Sequence, residues 1–159
     1  MLVQHFLENS AERVPDKVAL IYDDQRLTYR EINSLANQLA ASLIDRGVKR
    51  QDRVVIFLDN SIESVISLFG ILKIGAIFII LNPTMKSKKL NYILNDSGAC
   101  ALITQTNRAG IVKKAINKAP TLKHIFWVGK HNQLSETPSF TISSHEWGEI
   151  ISTPYSSIL

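Results

Sequence analysis

The chain has 159 residues, 45% of them hydrophobic and 20% charged, which is enough apolar material for one buried core and excludes a disordered, charge-dominated chain. Its single cysteine, Cys100, excludes an internal disulfide framework and suits a reduced compartment, so a cytoplasmic location is expected. The net charge of +4 is uneven: residues 1–85 carry nine Lys/Arg against ten Asp/Glu, whereas 86–130 carry nine against Asp96 alone.

The start, from Met1 to Asn9, has no basic lead, and Gln4, His5 and Glu8 interrupt its apolar residues, so no signal peptide is expected. An amphipathic helix is predicted from about Val3 to Arg13. After Pro15, the runs Val18–Tyr22 and Arg26–Thr28 flank Asp23-Asp24-Gln25, a connection short enough for a β-hairpin. Thr28-Tyr29-Arg30-Glu31 has the form of a capping box, and Ile32, Leu35, Ala36, Leu39, Ala40 and Leu43 follow at helical spacing up to Gly47.

Val54–Leu58 is a continuous apolar run of strand length, the pattern of a strand covered on both faces of a parallel sheet. Asn60 with Glu63 reads as the start of a further capped helix with Ile62, Val65, Ile66, Phe69 and Leu72 inward, ended by Gly75. Ile77–Leu81 reads as a second buried strand, stopped at Asn82-Pro83. The whole stretch Ile62–Leu81 would nearly match a bilayer core of ~30 Å. Glu63, Lys73 and the change of periodicity at Gly75 argue against a membrane span.

A helix at about Lys86–Leu94 should bury Leu90, Ile93 and Leu94. Cys100–Ile103 as strand, Arg108–Lys118 as helix with Ile111, Val112, Ala115 and Ile116 inward, and His124–Val128 as strand complete the alternation. Such alternation implies α/β architecture, a mostly parallel sheet with flanking helices. It fills an α/β segment over residues 1–128. Residues 129–159 are rich in Ser, Thr and Pro, with Phe140-Thr141-Ile142 and Trp147–Ile151 as the candidates for order. An unpatterned tail after an incomplete α/β series suggests a truncated chain.

Residues with catalytic chemistry are sparse. The glycines at 47, 70, 75, 98, 110, 129 and 148 never form GxGxxG. Gly129-Lys130 imitates the end of a phosphate-binding loop, but His124 stands where that loop needs its first glycine, and His131 where it needs Ser or Thr. His5, His124, His131 and His145 are not at metal-ligand spacing, and His124 reads as a buried ring bonded to backbone. Cys100 reads as a small buried hydrophobe. Lys86, Lys88, Lys89, Lys113, Lys114 and Lys118 could attract a polyanion. Their positions suit the solvated faces of helices, and no aromatic residues interleave for base stacking, so no nucleic-acid partner is expected. No serine lies in a GxSxG elbow.

Leu27-Thr28-Tyr29-Arg30-Glu31-Ile32 resembles the first motif of the adenylate-forming superfamily, which includes acyl-CoA synthetases and peptide-synthetase adenylation domains. Asp59–Glu63, Gly70–Phe78 with Leu81-Asn82-Pro83, and Lys89–Ala99 resemble the segments that follow it, in order, through about residue 128. Ile80 departs from the family's frequent proline. The Asn82-Pro83 form and the stretch Met85–Leu94 look more like fatty-acid or other acyl ligases. The resemblance implies an amino-terminal portion of an enzyme that joins a carboxylate to AMP from ATP and passes the acyl group to a thiol such as coenzyme A. It implies ATP, magnesium and coenzyme A for the full-length enzyme, with the phosphate loop, metal ligands and acid pocket beyond residue 159. The expected partners are the remainder of the enzyme and its carboxylic acid. No catalytic, cofactor-binding or metal-binding role is carried onto any residue here, because each matched residue has a folding role, and the span is expected to be inactive alone. The alternatives are a free-standing non-catalytic interaction domain, or binding of nucleic acid or an anionic surface through 86–130.

Overall fold

The structure, a computed structural model, describes residues 2–129 and 141–152. His131, Phe140 and the end of the tail lie outside them. The elements run α1 (Val3–Arg13), β1 (Val18–Tyr22), β2 (Gln25–Thr28), α2 (Tyr29–Asp45), β3 (Arg53–Phe57), α3 (Ile62–Lys73), β4 (Ile77–Ile80) and α4 (Ser87–Asp96). They continue with β5 (Ala101–Gln105), α5 (Ala109–Ala115), β6 (His124–Val128), β7 (Ser143–Glu146) and α6 (Trp147–Ile150). Single 3-10 turns bracket α5, so the helix expected over 108–118 is a short α-helix between tighter ends.

β1 and β2 form the expected hairpin. The other five strands make one parallel sheet in the order β4-β3-β5-β6-β7. Alternate residues of β3 and β5 feed two cores. Val54, Ile56, Ala101 and Ile103 face α2, α3 and α6 through Leu39, Leu43, Ile66, Ile71, Trp147 and Ile150. Val55, Phe57 and Leu102 face α4 and α5 through Leu90, Leu94, Val112 and Ile116. Full burial on both sides is why these strands lack any polar alternation, each large apolar side chain contributing about 1.5–3 kcal/mol. Thr104, the polar exception, is fully buried, and its hydroxyl donates to the Phe57 carbonyl at 3.1 Å.

The capping box forms as expected. Thr28 Oγ1 accepts from the Glu31 N–H at 3.3 Å, and Glu31 Oε2 accepts from the Thr28 N–H at 2.8 Å. That backbone bond, followed by one from the Thr28 hydroxyl, holds the Glu31 carboxyl below its ordinary pKa. The next cap differs from expectation. Ser61, not Asn60, is the cap residue, and its partner is Ser64 rather than Glu63: Ser64 N–H donates to Ser61 Oγ at 3.2 Å, while Ser64 Oγ accepts from the Ser61 N–H at 3.3 Å. Ser61 has the extended backbone a cap needs, and a short hydroxyl at each end closes the box.

α2, α3 and α4 end alike. In α4 the Gly98 N–H reaches the Asn95 carbonyl and the Ala99 N–H the Leu94 carbonyl, both at 3.1 Å, with Gly98 at φ +60°. Arg53 then covers the exposed helix end, donating from Nε to the Ser97 carbonyl at 2.6 Å and from Nη2 to the Gly98 carbonyl at 3.1 Å.

Two expectations about strands are corrected. Ile77–Ile80 is not a buried strand but the sheet edge: among the described residues it pairs with β3 alone, leaving Ile77 48% and Ile80 58% exposed. A hydrophobic run does not reveal whether a second neighbour exists. Beyond Gly129, the polar sequence Ser143-Ser144-His145-Glu146 pairs in parallel with β6 as a strand that the sequence did not suggest, and Trp147–Ile150 follows as the short helix α6. The apolar stretch 62–81 is divided between α3, the turn at Gly75 and β4. Lys73, whose side chain is 9% exposed, is paired with Glu8 of α1 at 2.6 Å. No helix among the described residues is long and apolar enough to cross a membrane.

Two helical glycines should respond oppositely to the same change. A Cβ at Gly70 would lie 2.8 Å from Leu39 Cδ2 and 3.1 Å from Leu39 Cβ, where α3 crosses α2, whereas one at Gly110 of α5 meets nothing within 4 Å. Gly110→Ala should stabilise by about 0.5–1 kcal/mol through helix propensity, and Gly70→Ala should destabilise by about 1–3 kcal/mol through overpacking. Urea unfolding of the two variants reads the sign directly.

Candidate functional site

The strand order reverses at β3: the chain goes from β3 outward to β4, then crosses back to the other side of β3 at β5. In open parallel sheets the carboxyl ends on either side of such a reversal diverge and leave a crevice, the usual place for a ligand. Here that crevice is framed by Leu58–Ser61 after β3, Leu81–Pro83 after β4 and Thr106–Arg108 after β5.

Its floor is a lattice around Arg108. The Arg108 side chain is 11% exposed. Nη2 is ion-paired to Asp59 Oδ1, Nη1 donates to the Pro83 carbonyl, and the guanidinium lies over the Phe57 ring with 4.6 Å to its centroid. Gln105 binds the other edge of Asp59, accepting from its backbone N–H at 3.0 Å and donating from Nε2 to Oδ2 at 2.6 Å. One side chain therefore ties together the exits of three strands. Gly129, at φ +107°, closes the rim after β6, where a Cβ would meet Thr106 Oγ1 at 2.7 Å.

The chemistry this arrangement supports is positional. Two of Arg108's nitrogens are committed to protein oxygens, and Nε is buried without a partner among the described residues. Both Asp59 oxygens are engaged. The Ser61 and Ser64 hydroxyls serve the α3 cap. The groups with displaced pKa values, Glu31, Cys100, His124 and His145, all lie away from these exits. The donor set does not fit a triphosphate with magnesium, which needs free backbone N–H groups, an uncommitted lysine and carboxylates facing the metal.

The residues singled out from sequence are dispersed. His5 Nδ1 accepts from the Leu2 N–H at 3.2 Å at the start of α1. Cys100 is partly buried before β5, and burial with the nearby Asp52 carboxylate pushes its thiol up to about 11, which keeps it protonated and unreactive. Lys86, Lys88, Lys89, Lys114 and Lys118 are exposed, and Lys88, Lys114 and Lys118 line a groove between α4 and α5 with Ser87, Asn91 and Asn117. His124 is half-buried rather than buried, and its ring has a backbone hydrogen-bond partner in Arg46 as well as a second histidine, Nδ1 lying 3.2 Å from His145 Nε2. Among the described residues no group of three or more His, Cys, Asp or Glu side chains could hold a metal ion. The Asp59–Gln105–Arg108 lattice escaped the sequence because its members are 46 and 49 positions apart and belong to no local motif.

The lattice is asymmetric in burial, and mutation should show it. Arg108→Ala uncovers Phe57 and leaves the Pro83 carbonyl without its donor, so it should cost about 2 kcal/mol. Asp59, 52% exposed, should cost under about 1 kcal/mol as Asp59→Ala because solvent screens its pair. Denaturant unfolding of both single variants and the double variant checks the order and should give a coupling of about 0.5–1 kcal/mol.

Comparison with known proteins places this scaffold. The AMP-binding enzyme family matches residues 7–152. Bacitracin synthase 2 of Bacillus licheniformis is 42% identical over 103 residues, covering 65% of this chain and 4% of that protein. A medium/long-chain-fatty-acid–CoA/3-oxocholest-4-en-26-oate–CoA ligase of Mycobacterium marinum is 39% identical over 121 residues, covering 76% and 22%. Among solved structures, the coronafacic acid ligase of Pectobacterium brasiliense superposes with a TM-score of 0.89 at 24% identity, over 99% of this chain and 31% of that one. The anthranilate CoA ligase AuaEII in complex with anthranoyl-AMP superposes with a TM-score of 0.85 at 28% identity, over 98% and 29%. This chain thus spans less than a third of each of these four proteins. With a match unbroken from α1 to α6, the chain belongs to the AMP-binding enzyme family.

Proposed function

We propose that these residues are the opening scaffold of an ATP-dependent, AMP-forming acid ligase, and that they do not catalyse the reaction by themselves. The observation that carries this reading is the family match over residues 7–152 combined with a strand-exit crevice whose polar groups are engaged with one another. The reaction joins a carboxylate to AMP with release of pyrophosphate, then transfers the acyl group to a thiol. Bringing a carboxylate to a polyanion requires a phosphate cradle, magnesium and a cation that neutralises developing charge. Those parts belong to the remainder of the enzyme. The Arg108 lattice contributes by fixing the strand exits against which that remainder would sit, a positional role that accelerates nothing unaided.

The substrate we propose is a fatty or other acyl acid, in a cytoplasmic enzyme. The segment behind this reading begins with a self-contained turn into α4, in which Asn82 Oδ1 accepts from the Thr84 N–H at 2.9 Å and from its hydroxyl at 2.8 Å. The fatty-acid–CoA ligase and the peptide synthetase among the relatives are nearly equal in identity, so the acid class rests on this segment's likeness to acyl ligases. A second reading, a non-catalytic interaction module, draws on the exposed β4 edge at Ile77 and Ile80.

One assay addresses both readings. ATP, magnesium and a panel of fatty, aromatic and amino acids are supplied to the 159-residue chain, and to a longer protein that continues through a Ser/Thr/Gly-rich loop and lysine. The expected outcome is acid-dependent pyrophosphate release by the longer protein with fatty acids preferred, and none by the chain alone. Release by the chain alone would overturn the scaffold reading, and preference for amino acids would overturn the substrate class.

A further inference from the structure

The amino-terminal half of the sheet carries a polar network unrelated to the strand-exit crevice. Arg46, the residue that caps α2, donates from Nη1 to the Ser42 carbonyl at 3.1 Å and to Ser42 Oγ at 2.5 Å, and from Nε to His145 Nδ1 at 3.1 Å. His145, on β7, then meets His124, the first residue of β6, with Nε2 lying 3.2 Å from Nδ1. The His145 ring also lies 5.0 Å from the Phe126 ring, centroid to centroid.

Hydrogen-bond direction fixes the protons. A guanidinium only donates, so His145 Nδ1 must carry a lone pair, and its proton sits on Nε2. That proton points at His124 Nδ1, which must accept, so His124 carries its own proton on Nε2. Both rings are neutral, in one orientation each. The same logic excludes a metal bridging the two close nitrogens: His145 Nε2 would have to lose its proton to bind the ion, and the neutral ring would then present Nδ1–H to Arg46 Nε–H.

We propose that this neutral relay latches the β7–α6 segment onto the sheet, and that proton uptake by the relay releases it. A proton arriving on His145 Nδ1 faces the Arg46 Nε–H, and one on His124 Nδ1 faces the His145 Nε2–H; either way a bond becomes a donor–donor contact beside a fixed cation. Other contacts also hold β7–α6, Thr141, Glu146 and Glu149 having partners of their own. Strand pairing covers four residues, Trp127 Nε1 donates to Ser144 Oγ at 3.3 Å, and Ile142, Trp147 and Ile150 supply the apolar contact. Around the pair stand Arg46 from α2 and Lys123 at the entrance to β6, with Glu146 and Glu149 on β7 and α6 engaged in interactions of their own. Asp52, ahead of β3, is bonded to the Cys100 thiol.

Burial first, and then Arg46, lower both imidazole pKa values, His145 to about 4 from an ordinary 6.5. The sign follows from those directions: the docked state binds fewer protons than the released one, so the latch holds fully above about pH 6.5 and weakens steadily down to about pH 4.

Amide hydrogen exchange on the 159-residue chain tests the latch, with β3 and β5 amides as internal reference and rates corrected for intrinsic pH dependence. Between pH 7.5 and pH 5 the β6–β7 amides, Ser143 N–H to the Lys123 carbonyl among them, should lose protection roughly thirtyfold relative to the reference. His145→Asn keeps an acceptor for Arg46 and removes one of the two titrating rings, so its β6–β7 protection should change with pH clearly less than that of the unaltered chain, His124 alone remaining to take up a proton. Nitrogen NMR of the unaltered chain gives a second readout that needs no variant: both rings should be neutral Nε2–H tautomers at pH 7.5 and protonate as β7 protection falls. Equal pH dependence in the variant, protection unchanged at pH 5, or a charged imidazole at neutral pH would each overturn the proposal.

Discussion

The pairing of β3 with β5 is the constraint on which the rest of the structure depends. Val54 pairs with Ala101, Val55 with Leu102, Ile56 with Ile103 and Phe57 with Thr104, and every one of these residues is within 1% of full burial. Because both faces of the pair are covered, a change of one residue in register would exchange the side chains belonging to the two cores. The pair also sets the reversal of strand order, since β4 lies on the far side of β3 from β5. The crevice at its carboxyl end is a consequence of that topology rather than of any local motif.

At each end of this pair an arginine fastens elements distant in sequence. Arg108 joins the exits of β3, β4 and β5 at the carboxyl end, and Arg53 caps α4 at the amino end, 44 and 45 residues from its partners. Both use the planar, multi-donor geometry that lysine lacks. Both fasten elements of the scaffold, in a span that covers 31% of the coronafacic acid ligase and 29% of the anthranilate CoA ligase.

Much of this fold was legible wherever one local cause sufficed. The apolar run at Val54–Leu58, the Thr28–Glu31 box and the glycine-closed helices each depend on neighbouring residues, and the structure contains them. What escaped depends on distant partners. Ser143–Glu146 has no strand pattern of its own and becomes a strand because β6 offers an edge and Arg46 and His124 satisfy its imidazole. β4 looked buried because Ile77–Ile80 is apolar throughout, whereas its place at the edge is decided by strand order. The cap at Ser61 was missed because Asn60 and Glu63 offered an equally plausible spacing, and backbone direction chose between them. Family membership was legible because its motifs are colinear. The candidate site was not, because Asp59, Gln105 and Arg108 meet only after the sheet has formed.

We propose that these residues build the scaffold of an acid-activating enzyme and leave its nucleotide chemistry to other parts of the protein. Calorimetric titration of the folded 159-residue chain with ATP and magnesium tests it most directly. No saturable heat is expected at millimolar nucleotide, because both Asp59 oxygens and the Arg108 nitrogens Nη1 and Nη2 at the strand exits are already engaged. A stoichiometric, saturable binding isotherm would contradict it.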